Sequence, residues 1–226
     1  MNAIIFGSNG SIGNYLFTSF KKDGINCIGT TTNKYNTNDN IIYVENNYLE
    51  NLQNIDIVDI IVWANGYNFN DNIEDFNIIN FNKMLEGNIT FILNTLNYLL
   101  LKNKIVNGAK LVIISSIWEE FTRENKLSYS ITKAALSGLV KNIAFDLSSK
   151  NILINNVLPG VVDNEMSRKT LTNEQINYIK NYMNFGRLIN LNDIYKTIKF
   201  LVTENSGITA QSIKVDLGFT NFRKYS

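Results

Sequence analysis

Tyr129 and Lys133 stand four residues apart in Ser128-Tyr129-Ser130-Ile131-Thr132-Lys133-Ala134-Ala135-Leu136, a run that reads as the opening turns of a long helix. Residues at that spacing share a helix face, so the phenol and the ammonium address one small volume. A phenol has an ordinary pKa of about 10, and a neighbouring cation favours its ionised form. A tyrosine tuned in this way can exchange a proton with an alcohol or carbonyl oxygen. The same pair also fits a plain amphipathic surface, because both side chains tolerate partial burial. Company decides between the two. Ser116 closes the apolar run Lys110-Leu111-Val112-Ile113-Ile114-Ser115-Ser116, and a serine where a buried strand ends lies at the rim of a sheet, where open α/β folds place their ligands. Its hydroxyl is placed to hold the oxygen that Tyr129 would protonate.

The elements that must position these groups alternate along the chain. Ala3–Phe6 reads as a buried strand and runs into Gly7, Ser8, Asn9, Gly10, Ser11, Ile12 and Gly13, followed by a helical pattern through Leu16, Phe17 and Phe20. A strand, a glycine-rich turn and a helix N-terminus form a cradle for a pyrophosphate: glycines let the backbone approach, and the helix end favours negative charge. A second strand, Ile25–Thr30, leads into Thr31, Thr32, Asn33 and Lys34, where an NAD-selective site would carry an acidic residue. Hydroxyls, an amide and Lys34 suit a 2′-phosphate instead, which makes NADP(H) preferred and leaves NAD(H) open.

Further strands are expected at Ile41–Val44, at Ile57–Trp63 running into Ala64, Asn65 and Gly66, at Ala109–Ile114, at Asn151–Leu158 before Pro159-Gly160, and at Ser212–Asp216. Helices are expected at Phe81–Leu101, carrying Asn88, from Tyr129 to about Ser149, at Asn173–Met183 and at Asn192–Val202. This alternation predicts an α/β fold: a doubly wound, seven-stranded parallel sheet with helices on both faces, in one domain over 1–226. The polar stretch 163–190 at the sheet rim is the expected substrate lid. Trp118, Phe121 and Arg123 after Ser116, with Met166, Arg168, Tyr182 and Phe185 in the lid, are the candidates for substrate contact. Arg123 and Arg168 are suited to an anionic group.

Composition narrows the function. Hydrophobic residues make up 45% of the 226, charged residues 18%, and the net charge is +1, so nothing favours nucleic acid. There is no histidine and a single cysteine, Cys27, which removes an internal disulfide and the commonest metal ligand and acid/base group. No metal site is expected. Without a long uncharged apolar run or a signal-like start, no membrane association is expected and the cytoplasm is the expected location.

Taken together, these pieces resemble the short-chain dehydrogenase/reductase family over nearly the whole chain. Asn88, Ser116, Tyr129 and Lys133 fall at the intervals of that family's tetrad, and Asn155-x-x-x-Pro159-Gly160 and Val215-Asp216-Leu217-Gly218 are similar to its later strands. The resemblance implies Tyr129 as acid/base, Lys133 as the group that lowers the tyrosine's pKa and holds the nicotinamide ribose, Ser116 as holder of the substrate oxygen, and Asn88 as support for Lys133 through a water. It also implies cofactor contacts from Glu45, from Ala64, Asn65 and Gly66, and from Pro159, Gly160 and Val162. Ala64-Asn65-Gly66 stands where the family usually has Asn-Ala-Gly, and Asp163 and Asn164 stand near the place of its usual threonine. The implied reaction interconverts a small secondary alcohol and a ketone in a homodimer or homotetramer. A catalytically idle dinucleotide-binding sensor or subunit is the alternative; a sugar epimerase or dehydratase is disfavoured, since such chains usually carry a further substrate domain.

Overall fold

The computed structural model describes residues 1–33, 37, 40–44, 48–164, 167–168, 171–182 and 185–222, with the side chain of residue 48 excepted. Lys34, Glu45, Met166 and the end of the expected helix at Met183 lie outside the described residues.

Seven strands form one sheet: β1 Asn2–Phe6, β2 Asn26–Thr31, β3 Ile41–Tyr43, β4 Val58–Trp63, β5 Ile105–Ile114, β6 Leu153–Pro159 and β7 Ser212–Val215. Their order is β3-β2-β1-β4-β5-β6-β7 and each adjacent pair is parallel. The strands read as continuous apolar runs because both faces are covered. Alternate residues go to opposite sides. Ile4, Phe6, Ile61, Trp63, Leu111 and Ile113 pack towards helices α4 (Phe91–Leu101) and α5 (Leu127–Asp146). Ala3, Ile5, Ile60, Val62, Val112 and Ile114 pack towards α1 (Ser11–Lys22) and α7 (Leu191–Thr203). Other helices among the described residues include α2 Tyr48–Asn51, α3 Ile78–Leu85 and α6 Asn173–Tyr182. The one polar atom that Trp63 brings into the core is satisfied, its indole N–H donating to Thr95 Oγ1 at 2.9 Å.

Most boundaries fall within two or three residues of the expectation, and three of the differences have a local reason. The strand expected from Ala109 begins at Ile105, because Gly108 adopts φ +83° and carries the strand through an irregular register against β4. The strand expected from Asn151 begins at Leu153, because Asn151 is left-handed at φ 55°. The helix expected over Phe81–Leu101 starts earlier, at Ile78, where Asn77 Oδ1 accepts from the N–H groups of Ile79 and Asn80, and it is interrupted by a π turn at Glu86–Thr90.

The crossing that opens the fold depends on close backbone approach. Gly7 is left-handed at φ +79°, and a Cβ there would lie 2.7 Å from Asn65 N. A Cβ on Gly13 would lie within contact distance of the Gly7 carbonyl, with the Gly7 carbonyl carbon only 2.8 Å away. Gly13→Ala should therefore force α1 away from the turn and lower the unfolding free energy by about 1–3 kcal/mol, measured by urea denaturation.

Candidate active site

Ser116, Tyr129 and Lys133 are brought together where β5 ends against the start of α5. Ser116 lies just past β5 and caps a single 3₁₀ turn at Ile117–Glu119, its Oγ accepting from Trp118 N–H at 3.3 Å. Tyr129 lies in the first turn of α5, half-buried, and Lys133 lies one turn on and is buried. The Lys133 Nζ donates to Ile114 O at 3.1 Å and stands 5.6 Å from the centroid of the Tyr129 ring.

Burial governs both groups. It pushes the Tyr129 phenol up to about 12, with the Ser116 hydroxyl pulling the other way. It pushes the Lys133 ammonium from its ordinary 10.5 down to about 8, opposed by the charge of Glu119. The expectation that Lys133 lowers the tyrosine is thus outweighed here by desolvation of the phenolate. Glu119 is itself buried, accepts from Asn156 Nδ2 at 3.1 Å and from the Ser212 hydroxyl, and is raised by its burial.

Asn88 sits in the π turn, buried, and its side chain does not reach Lys133. Its Nδ2 donates to Tyr67 O and to Thr132 Oγ1, each at 2.9 Å, and its Oδ1 accepts from Tyr67 N–H at 2.7 Å. Both amide hydrogens are thereby used on the loop after β4 and on the residue preceding Lys133. What the side chain does is hold α5 against that loop; Gly66 of the same loop borders Lys133, since a Cβ there would lie 3.8 Å from its Nζ.

A second clamp comes from a residue the sequence reading missed. Asp71 is buried; its Oδ1 accepts from Ser128 N–H at 3.0 Å, its other oxygen from the Ser128 hydroxyl, and its backbone carbonyl from Leu127 N–H at 3.2 Å. It caps the helix that carries Tyr129 from far away in sequence, and no local signal marks it.

The expected cofactor residues surround the C-terminal end of the sheet. Gly10 precedes the first turn of α1, which holds no acidic side chain and no side-chain cap, so its free N–H groups suit a pyrophosphate. Ser8 is committed to Thr30 O twice, its hydroxyl donating at 3.0 Å and its backbone N–H at 2.9 Å. Asn9 reaches across to Thr31 Oγ1, which also accepts from Asn33 N–H at 2.9 Å; Thr32 is exposed beside them. Asn65 turns inward, donating to Gly87 O at 2.8 Å, while the Ala64 N–H bonds to Phe6 O at 2.9 Å. Gly160 N–H bonds to Val215 O at 2.9 Å, and Val162 bridges to Ile189.

A cavity of about 840 Å³ opens on Ile12, Ser116, Tyr129, Pro159, Gly160 and Val162. Trp118, Phe121, Arg123 and Tyr182 also line it, as expected. Arg168 does not line it: its guanidinium pairs with Asp163 at 2.8 Å on the exposed surface. Neither does the exposed Phe185. The cavity is completed by residues not anticipated, among them Lys126, Tyr178 from α6, and Phe219 and Phe222 after β7. Tyr182 ties these two aromatic walls together through its hydroxyl, which donates to Phe222 O at 2.9 Å. Among the described residues there is no cluster suited to a metal ion, and no helix is long and apolar enough to cross a membrane.

A family described as enoyl-(acyl carrier protein) reductase matches residues 44–220. The chain belongs to the short-chain dehydrogenase/reductase family. It is similar to glucose 1-dehydrogenase of Gluconobacter oxydans, with 25% identity over 167 residues that cover 72% of this chain and 62% of that relative. In fold it resembles a short-chain dehydrogenase family protein from Francisella tularensis (TM-score 0.86, 22% identity, covering 97% of this chain and 98% of the other). It also resembles ElxO with NADP bound (TM-score 0.82, 23% identity, covering 98% and 99%).

Lys133 carries a testable cost. Below pH 8 the folded protein holds its ammonium in a place that resists charge, and between pH 8 and 10.5 folding expels the proton, so stability rises with pH across that window. Lys133→Met should raise the unfolding free energy at pH 7 by about 1–3 kcal/mol. The gain should shrink towards pH 10.5, as denaturant titrations at several pH values would show.

Proposed function

We propose that the protein is an NADP(H)-dependent oxidoreductase that interconverts a small secondary alcohol and a ketone, with Tyr129 as acid/base. The observation that carries this reading is that the Ser116 hydroxyl and the Tyr129 phenol meet at the cavity, which Ile12 of the glycine-rich turn also lines, with the Lys133 ammonium buried 5.6 Å from the centroid of the tyrosine ring. A nicotinamide cofactor would supply or accept the hydride. Gly7, Gly10 and Gly13 with the first turn of α1 would hold its pyrophosphate. Thr31, Thr32 and Asn33 would meet its adenosine ribose, and Ala64, Asn65 and Gly66 would border it further along. Pro159, Gly160 and Val162 would face its other end. The absence of a carboxylate from Thr31 to Asn33 favours the 2′-phosphate, and an NADP-bound structure among the similar folds agrees with that choice.

The residues then divide the work. Ser116 donates to the substrate oxygen and holds it near Tyr129. The phenol, kept neutral by burial, gives its proton to that oxygen as the carbonyl is reduced, and Lys133 stabilises the phenolate left behind. In the oxidative direction the proton returns by the same route. Asn88 and Asp71 keep α5 in register, so that Tyr129 faces the cavity with Lys133 buried beside its ring. Residues 163–190, with α6 over the cavity, would bound the substrate.

Tyr129→Phe keeps the ring and removes the proton. With NADPH and a panel of ketones, its turnover should fall by about a thousandfold or more while NADPH affinity stays within about twofold of wild type. Comparable turnover in the variant would remove Tyr129 from the reaction. Nucleotide binding by the wild type with no turnover across the panel would favour the idle sensor.

A further inference from the structure

The cavity contains a second ammonium that the proposed proton transfer does not use. Lys126 immediately precedes α5 and lines the cavity, although only 5% of it is exposed, and its Nζ stands 5.2 Å from the centroid of the Tyr129 ring. Its hydrogen bonds go to neutral amides, Asn68 Oδ1 at 2.8 Å and Asn70 Oδ1 at 2.7 Å. Among the described residues no carboxylate lies within ion-pair distance of it. An ammonium has three donors, so one N–H is left for a partner in the cavity. Burial, reinforced by the charge of Arg123 and opposed by that of Asp71, pushes Lys126 down to about 8.

A buried cation hydrogen-bonded only to amides, with Asp71 acting on it only from beyond ion-pair distance, gains a direct countercharge from an arriving anion. Arg123, stacked on Trp118 at 5.8 Å, adds positive potential on the same wall. The lining also carries an aromatic group, Tyr178, Tyr182, Phe219 and Phe222, and Glu174 is the carboxylate among the lining residues. One free N–H in largely apolar surroundings suits a monoanion better than a dianionic phosphate.

We propose that Lys126 recognises a carboxylate on the substrate, which is therefore an oxo acid or hydroxy acid with its charge close to the reacting carbon and an apolar body against the aromatic wall. This rests on the proposed function and names its substrate class. The role is one of specificity: Lys126 selects among carbonyl compounds and does not exchange the proton.

The test is binding, so that no turnover is needed. Protein first shown to be saturated with NADP+ is titrated with phenylpyruvate and with its methyl ester, which differ in the charge of one group, and tryptophan fluorescence is followed. The wild type should bind the acid about 10- to 100-fold more tightly than the ester. Lys126→Met should bring the acid down to the ester's affinity and leave NADP+ binding unchanged. If that variant does not fold, Lys126→Gln retains donors for Asn68 and Asn70 and should lose the same preference. Equal binding of acid and ester by the wild type would overturn the proposal. So would a preference that survives either substitution, loss of both ligands alike, or no binding of the acid to NADP+-saturated protein. Failure of the protein to bind NADP+ at all would instead count against the proposed function.

Discussion

The structure depends on keeping an ammonium and a phenol side by side away from water. Lys133 is buried, bonded to a backbone carbonyl at the end of β5, and faces the ring of Tyr129. Neither group gains from this place in the charged state: burial moves the lysine down and the tyrosine up. Placing them there costs stability, and the rest of the fold has to hold them in position against that cost. Pre-organised charge in a water-poor site acts most strongly on a developing oxyanion, which is the use proposed for it.

The holding is done by groups that are distant in sequence. The loop after β4 is bonded to α5 twice, through Asn88 to Thr132 and through Asp71 to Ser128, and Lys126 bonds to two asparagines of the same loop. Each bond fixes a residue next to, or near, one that faces the cavity. A helix so anchored at its first two turns presents Tyr129 and Lys133 from a rigid element. Contact with the rest of a substrate is left to other residues of the cavity lining, among them Trp118, Arg123 and the aromatic residues of α6.

Much of this was legible in the sequence, and the part that was not has a physical reason. Parallel strands buried on both faces leave continuous apolar runs, and a glycine-rich turn followed by a helix leaves its own mark, so the sheet and its first crossover could be read directly. Tyr129 and Lys133 share a helix face at a spacing that local geometry explains, and Ser116 follows from where a strand ends. Asp71 and Asn68 act across more than fifty residues, and nothing near them in the chain announces it. The π turn at Asn88 arises where the side chain bonds to Tyr67 and Thr132, both long-range partners, so helical periodicity alone predicted an unbroken helix. Arg168, expected to suit an anionic group, is instead neutralised by Asp163, five residues earlier, a pairing that the sequence pattern does not mark. Lys126 carries no mark in the sequence either, since the amides that hold its ammonium, Asn68 and Asn70, lie more than fifty residues away.

The central claim is that hydride passes between a nicotinamide and a carbon whose oxygen Tyr129 protonates. The most direct measurement is isotopic: NADPH carrying deuterium at the transferable position is incubated with the protein and a ketone panel, and the alcohol formed is analysed by mass spectrometry. The account predicts one deuterium on the former carbonyl carbon with the wild type, and none formed at a comparable rate by Tyr129→Phe. Recovery of unreacted ketones and intact labelled NADPH, from protein shown to bind the nucleotide, would contradict it.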